Sequence, residues 1–178
     1  MQFPEHFPEL RTSRLLLRAL SVADKDAIFA LRSNEEVNRF VGRKAAQTPA
    51  DAVRFIKDRI QDVIENKAVY WAIESKTTRK LIGTICYWNL NNDDNSVEIG
   101  YELFPEMQGQ GIMQEAIARV IAWGFNDMRL EMITAFTLEV HKQSVKLLER
   151  NNFKYGEIIE GLLFYKLSRQ TWKLHQLQ

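Results

Sequence analysis

Cysteine is all but missing from this chain: Cys86 is the only one among 178 residues, and it sits inside an apolar run. A disulfide scaffold and a cysteine-rich metal site are therefore excluded, and a reducing compartment fits. Histidine is nearly as scarce: His6 and His175 lie near the ends and His141 stands alone, which makes no metal set. Neither charge is in excess, since 24 basic residues face 23 acidic ones for a formal net charge of +1. No global field draws such a chain to nucleic acid or to an acidic membrane. No apolar run approaches the ~18 residues of a membrane span. The opening MQFPEHFPEL lacks the basic and apolar regions of a secretion signal, so a cytoplasmic location is expected. Repeats, low-complexity tracts and linkers are missing as well.

What is present is a globular composition, 46% hydrophobic and 26% charged, at a length that suits one domain over residues 1–178 with a full core. Its organising stretch is VEIGYELFPEMQGQGIMQEA, residues 97–116. Residues 97–104 alternate apolar and polar side chains and are rich in β-branched and aromatic types, which predicts a strand. Helical spacing begins at Ile112. Between the two, Gln108-Gly109-Gln110-Gly111 lets a backbone pass close to a ligand and leaves N–H groups free at a helix N-terminus. Unpaired amides and the helix dipole favour an anion there, most often a phosphate. No Gly-Lys-Ser/Thr follows the glycines, which excludes a P-loop.

Taken in order, residues 1–12 read as an irregular lead-in and 14–20 as a short buried strand. Ser21 and Asp24 form a capping box before a helix that runs to about Arg32. Residues 33–47 carry no clear signal. Thr48, Pro49 and Asp51 then start an amphipathic helix with Val53, Ile56, Ile60, Val63 and Ile64 inward and Arg54, Lys57, Asp58 and Arg59 towards water. Strands follow over 69–74 and 81–90, and the turn formers of 91–95 lead into the strand at 97, giving three antiparallel strands in a row. The helix after the glycines buries Ile117, Val120, Ile121 and Gly124. Residues 132–137 return as a strand parallel to 97–104 by the right-handed crossover rule. Residues 144–150 are a short helix with Val145 and Leu148 inward, stopped by Asn151-Asn152. The tail alternates enough for two more strands, the second over 162–167.

The QGQG loop after a Glu-Ile-Gly-Tyr-Glu-Leu strand, with a second helix start at His141-Lys142-Gln143-Ser144, resembles the GNAT superfamily of acetyl-CoA-dependent N-acetyltransferases. The superfamily signature, Gln/Arg-x-x-Gly-x-Gly/Ala, maps here to Gln108, Gly111 and Met113. The N-terminal Arg-Thr-Ser-Arg-Leu-Leu-Leu-Arg, the Glu-Ile-Gly-Tyr-Glu-Leu strand and Trp172 look most like the RimJ/RimL branch. Members of that branch acetylate N-terminal amines of ribosomal proteins, and close relatives acetylate polyamines, amino acids or antibiotics. The resemblance implies an α/β fold with a mixed central sheet of about seven strands flanked by about four helices. It also implies acetyl-CoA as co-substrate, no metal, a primary amine as acceptor, and a monomer or homodimer. A non-catalytic acyl-CoA-binding sensor of the same fold is the alternative, resting on departures at Met113 and His141 and on the missing family tyrosine.

By that resemblance, backbone groups of Gln108, Gly109, Gln110, Gly111, Ile112 and Met113 would hold the CoA diphosphate. Main-chain groups near Leu103 and Phe104 would pair with the pantetheine arm. Met113 replaces a small residue, which a main-chain contact tolerates. Glu98 is the leading candidate for the base that deprotonates the acceptor, with Gly100 leaving room beside it, and Glu102 on the same strand face is the substitute. Ser144, the Ser of the family's Asn-x-x-Ser element, is the candidate proton donor to the thiolate, and it serves equally as a helix cap. Leu147 and Leu148 stand where many members carry a tyrosine for that purpose. His141 replaces the family's Asn and could still hydrogen-bond the cofactor. A His141–Ser144 nucleophilic pair and an acyl-cysteine at Cys86 are disfavoured. Tyr87 and Tyr101 read as packing residues that could line the acceptor pocket.

Overall fold

The computed structural model describes Met1 and residues 6–176. Residues 10–19 give two short strands, β1 (Leu10–Arg11) and β2 (Leu15–Ala19), where an irregular lead-in and one strand were expected. Leu15 and Leu17 share the buried face, because alternate strand residues point the same way. Asp24 accepts from the Ser21 N–H at 2.9 Å, which fixes a short 3-10 turn ahead of α1 (Lys25–Ser33). The segment without a sequence signal holds one helical turn, α2 (Glu35–Asn38), started by Asn34, whose side chain accepts from the Val37 N–H at 3.0 Å.

α3 (Pro49–Ile64) begins where Thr48, Pro49 and Asp51 place it, with Asp51 accepting from the Thr48 N–H at 2.9 Å. Ala52, Phe55, Ile56 and Ile60 form its inward stripe. Ile64, expected in that stripe, is 67% exposed at the last turn. β3 (Val69–Ser75), β4 (Leu81–Asn91) and β5 (Ser96–Leu103) make the expected antiparallel meander. From β5, α4 (Ile112–Asn126) crosses to β6 (Met132–Thr137), which lies parallel to β5. α5 (Lys142–Arg150) is followed by Asn152 at φ 65°, the left-handed stop that asparagine tolerates. β7 (Lys154–Ile159) and β8 (Leu162–Ser168) close the sheet as a hairpin.

No periodicity in the sequence announces α6 (Arg169–Gln176). Ser168 Oγ accepts from the Thr171 N–H at 3.1 Å, and Trp172 packs on Phe125 with ring centroids 5.2 Å apart. Among the described residues the fold is a mixed α/β one with eight strands in the order β1-β2-β3-β4-β5-β6-β8-β7 and six α-helices. The additions to the expected seven strands and four helices are the two-residue β1, the single turn α2 and the terminal α6. None of the helices among the described residues is long and apolar enough to cross a membrane.

Helices cover both faces. Ile117, Val120 and Ile121 of α4 pack on Trp71, Ile85 and Tyr87, while Ile28, Ala52 and Ile56 of α1 and α3 pack on Ala72 and Leu81 from the other side. One feature of the register positions the site. β5 and β6 pair only through Ser96–Glu98 and Met132–Thr134. Beyond Glu98, β5 stays with β4 as far as Leu103 and β6 stays with β8 as far as Thr137, so the two central strands fork.

Candidate active site

Gly109 and Gly111 adopt φ of 72° and 73°, the left-handed region that L side chains avoid. Space is not the constraint. A Cβ on Gly109 would meet nothing within 4 Å, and one on Gly111 would meet only Arg14 Nη2 at 3.6 Å. The glycines are there for backbone direction: Gly111 is the N-cap of α4 and makes no side-chain cap bond, so the first-turn N–H groups of Ile112, Met113 and Gln114 are left for an outside acceptor.

The loop is braced from three sides. Gln108 Nε2 donates to Leu103 O at 3.2 Å and Gln110 Nε2 to Glu106 O at 2.7 Å. Arg14, about a hundred residues away in sequence, donates from Nη1 to Gln110 O at 3.0 Å and from Nε to Glu115 Oε2 at 2.6 Å. Glu115 Oε1 also accepts from the Arg14 N–H at 2.9 Å and the Ser13 hydroxyl at 3.0 Å. Burial raises the Glu115 carboxyl, but the Thr12 hydroxyl together with these donors outweighs it and holds the group down to about 2.

A groove of about 1050 Å³ opens over this loop. Gln108, Gly109, Gly111, Ile112 and Met113 line it, together with Tyr101 and Leu103 of β5, His141 at the N-cap of α5, and Ser144 of α5. Gln110, Phe104 and Glu98 do not line it. The Phe104 backbone is engaged: its N–H donates to Ile82 O at 3.1 Å and its carbonyl accepts from the Met107 N–H at 2.9 Å. Its main chain therefore has no free donor for an added strand, and the available backbone edge is that of β5 past the fork.

Ser144 is buried and does not serve as a cap. Its Oγ lies 2.9 Å from the Tyr101 hydroxyl, across the groove. Burial pushes the Tyr101 phenol up to about 12, against the opposing effect of the Ser144 bond. Either hydroxyl can donate in this bond, and with the phenol donating, the Ser144 proton is free to point elsewhere. Tyr101 is the residue that sequence reasoning undervalued. The signal was available: Val97, Ile99, Tyr101 and Leu103 form one face of β5, and only the tyrosine carries a polar tip.

Glu98 and Glu102 share the opposite face, as strand alternation requires. Glu98 stands opposite Trp88 of β4 and Thr134 of β6 and is the last β5 residue paired across the fork. Burial raises its pKa above the ordinary glutamate value of 4.5, opposed by a long 3.5 Å bond from Asn89 Nδ2. The room expected beside it at Gly100 is filled, since a Cβ there would lie 3.2 Å from Cys86 Sγ. Glu102 is occupied: Arg43 Nη2 reaches one oxygen at 2.6 Å, and Arg32 Nη1 at 3.8 Å and the Thr84 hydroxyl at 3.3 Å reach the other.

His141 stacks on Phe40 with ring centroids 4.3 Å apart, and burial lowers its pKa, which favours the neutral imidazole. With His141 on Phe40 and Ser144 on Tyr101, no nucleophilic pair exists. The Cys86 thiol is buried and pushed up to about 12 by burial, so it carries no reactive thiolate.

A mixed sheet forked at its centre, with an anion-ready helix start beside the fork, defines an acyl-CoA-type transferase site. The family described as "Acetyltransferase (GNAT) domain" matches residues 14–154, and the chain belongs to that family of acetyltransferases. It is 33% identical over 158 residues to the uncharacterized N-acetyltransferase YoaA of Bacillus subtilis, covering 89% of each chain. Two solved structures share the fold. The ribosomal-protein-S5-alanine acetyltransferase of Vibrio fischeri is 22% identical with a TM-score of 0.77, over 93% of this chain and 98% of that one. The spermidine N-acetyltransferase of Vibrio cholerae, in complex with CoA and spermine, is 20% identical with a TM-score of 0.79, over 91% and 99%.

Proposed function

We propose that this acetyltransferase moves an acetyl group directly from acetyl-CoA to a primary amine, with Glu98 as base and Ser144 as proton donor. The observation that carries the reading is the left-handed bend at Gly109 and Gly111, which opens the α4 amides onto the groove that also holds Ser144 and Tyr101. Acetyl-CoA supplies an activated thioester, and its diphosphate fits the loop amides. Glu98, on one side of the fork, takes a proton from the acceptor ammonium. The freed nitrogen bonds to the acetyl carbon as the carbon–sulfur bond breaks. The leaving sulfur receives the Ser144 proton as Tyr101 passes its own to Ser144 Oγ, solvent carries the second proton from the acylated nitrogen back to the phenolate, and Glu98 releases the first to solvent.

The acceptor proposed is the N-terminal amine of a protein, such as a ribosomal protein. The Arg-Thr-Ser-Arg-Leu-Leu-Leu-Arg start and the Vibrio fischeri neighbour support it. A small polyamine is the second reading, favoured by the Vibrio cholerae spermidine enzyme. Thiol release from acetyl-CoA across Ala- and Ser-starting peptides and spermidine separates the two.

Glu98→Gln tests the chemistry. It should leave acetyl-CoA affinity unchanged by calorimetry and lower kcat by roughly 10²-fold or more. An unaltered kcat would remove Glu98 from the mechanism, and a wild-type chain that binds acetyl-CoA without turnover across the panel would leave the sensor reading.

A further inference from the structure

A second cavity, of about 330 Å³, lies between the end of α1, residues 44–47 and the first half of α3. Arg32, Lys44, Arg54 and Arg59 line it, against only two acids, Asp51 and Asp58. Asp51 is already engaged, accepting from the N–H groups of Gln47 and Thr48 and pairing with Arg54. Positive charge is therefore in surplus.

Arg32 is largely buried and has no hydrogen-bonded carboxylate among the described residues. Its side chain is 17% exposed and lies over the Phe55 ring at 3.7 Å. Its only carboxylate contact among the described residues is Glu102 at 3.8 Å, too long for a hydrogen bond, and Glu102 gives its short contact of 2.6 Å to Arg43. Arg59 adds a buried Nε with no partner, although its Nη2 pairs with Asp62 at 2.6 Å. A guanidinium cannot shed its charge, and donors taken out of water without a partner cost free energy. Burial and then the Arg43 charge act on Arg32 in the same direction, lowering its pKa. An oxyanion with two oxygens would answer both deficits, because the planar fork of arginine binds it bidentately.

We propose that this cavity is an oxyanion site that takes a carboxylate or phosphate on Arg32, with Arg59 and Lys44 beside it. Resting on the transfer reaction above, the nearest source is the acceptor itself, an amine that also bears an acidic group. Glu102 links the two places, since it lines the cofactor groove and contacts Arg32 of the cavity. It lies four residues along β5 from Glu98 on the same face, about 13 Å at strand rise, a span that a short peptide bridges.

The test begins with binding, independent of turnover. Inorganic phosphate and succinate are titrated calorimetrically into protein saturated with CoA, so that the groove phosphates are already filled. Wild type should bind saturably, and Arg32→Gln should weaken binding about 10-fold or more, as losing charged hydrogen bonds predicts. Arg32→Lys, which keeps the charge and loses the fork, should fall between, and covers the case in which Arg32→Gln misfolds. In the kinetic arm, tripeptides with a free C-terminal carboxylate are compared with their amides. A preference for the acid in kcat/KM that disappears in Arg32→Gln, with the KM for acetyl-CoA unmoved, assigns the oxyanion to the acceptor. Saturable phosphate binding without that preference keeps the site and assigns it to a free anion. Absence of saturable binding, or binding indifferent to Arg32, overturns the proposal. Anion binding in a protein that turns over none of the amines would count against the transfer reaction and leave this site standing.

Discussion

Tyr101 shows what one hydroxyl contributes when its partner is fixed. Its bond to Ser144 is made before any ligand arrives, so in the proposed mechanism the pair needs no reorganisation to present the serine proton. Tyr101→Phe keeps the ring and removes the donor, so we expect kcat to fall about 10-fold with little change in acetyl-CoA affinity. Ser144→Ala should fall at least as far, and the double variant no further than Ser144→Ala alone, because the two act as one unit. Additive losses in steady-state kinetics would show that they act separately. With Glu98 as the proposed base, its carboxyl is expected to set the acid side of the pH profile. Its pKa is raised by burial, so the rate should decline as pH falls through a value above 4.5, and Glu98→Gln should abolish that limb.

At the scale of elements, the start of α4 is held as much by Ser13 and Arg14, just ahead of β2, as by its own sequence. Gly111→Ala forces an L side chain into φ 73°, at a cost of about 1–2 kcal/mol, and should weaken acetyl-CoA binding measurably by calorimetry while Gly109 keeps the rest of the bend. Arg14→Ala frees the Gln110 carbonyl and leaves Glu115 without its guanidinium. Loss of acetyl-CoA affinity with kcat retained at saturation is the expected signature of a positioning role. The Glu115 carboxyl also sets a pH window. Its folded value of about 2 lies below the ordinary 4.5, so its contribution to stability is fully present above 4.5 and is lost as pH falls towards 2. Denaturant midpoints of wild type and Glu115→Gln should differ above that window and converge within it.

At the scale of the whole molecule, α4 is pinned to the sheet at its far end by a close approach. A Cβ on Gly124 would lie 2.6 Å from Tyr87 Oη, and Tyr87 cannot retreat without losing its 2.9 Å bond to the Val120 carbonyl. Helix propensity favours alanine over glycine by about 1 kcal/mol, but overpacking costs about 1–3 kcal/mol and should win. Gly124→Ala is therefore expected to lower stability in denaturant melts. Adding Tyr87→Phe should restore part of the loss by removing the clashing oxygen, and a purely additive pair would refute the close-contact account.

Local chemistry was legible wherever one residue type has one physical reason to be in place. Thr48, Pro49 and Asp51 announced α3, Asn152 announced the stop after α5, and the β5 alternation placed Glu98 and Glu102 on one face. α2 and α6 escaped because a single capped turn and a short polar helix carry too few apolar positions to show a period. Gly100 was misread because its neighbour Cys86 lies on another strand, and Glu102 was overvalued because Arg43 comes from a segment with no signal of its own.

The sequence by itself determined the elements around the site: a strand ending in alternation, two glycines that turn the backbone left-handed, and a helix start with amides to spare. These are short-range properties, set by φ/ψ sterics and by side-chain period. Only the tertiary structure decided which groups meet there. Tyr101 against Ser144, Arg14 against Glu115, and Arg32 left short of a partner are contacts between segments far apart in the chain, and they depend on strand register and on the fork between β5 and β6. Register is a property of the packed sheet, and a slip of one residue would have turned each of the β5 side chains to the other face.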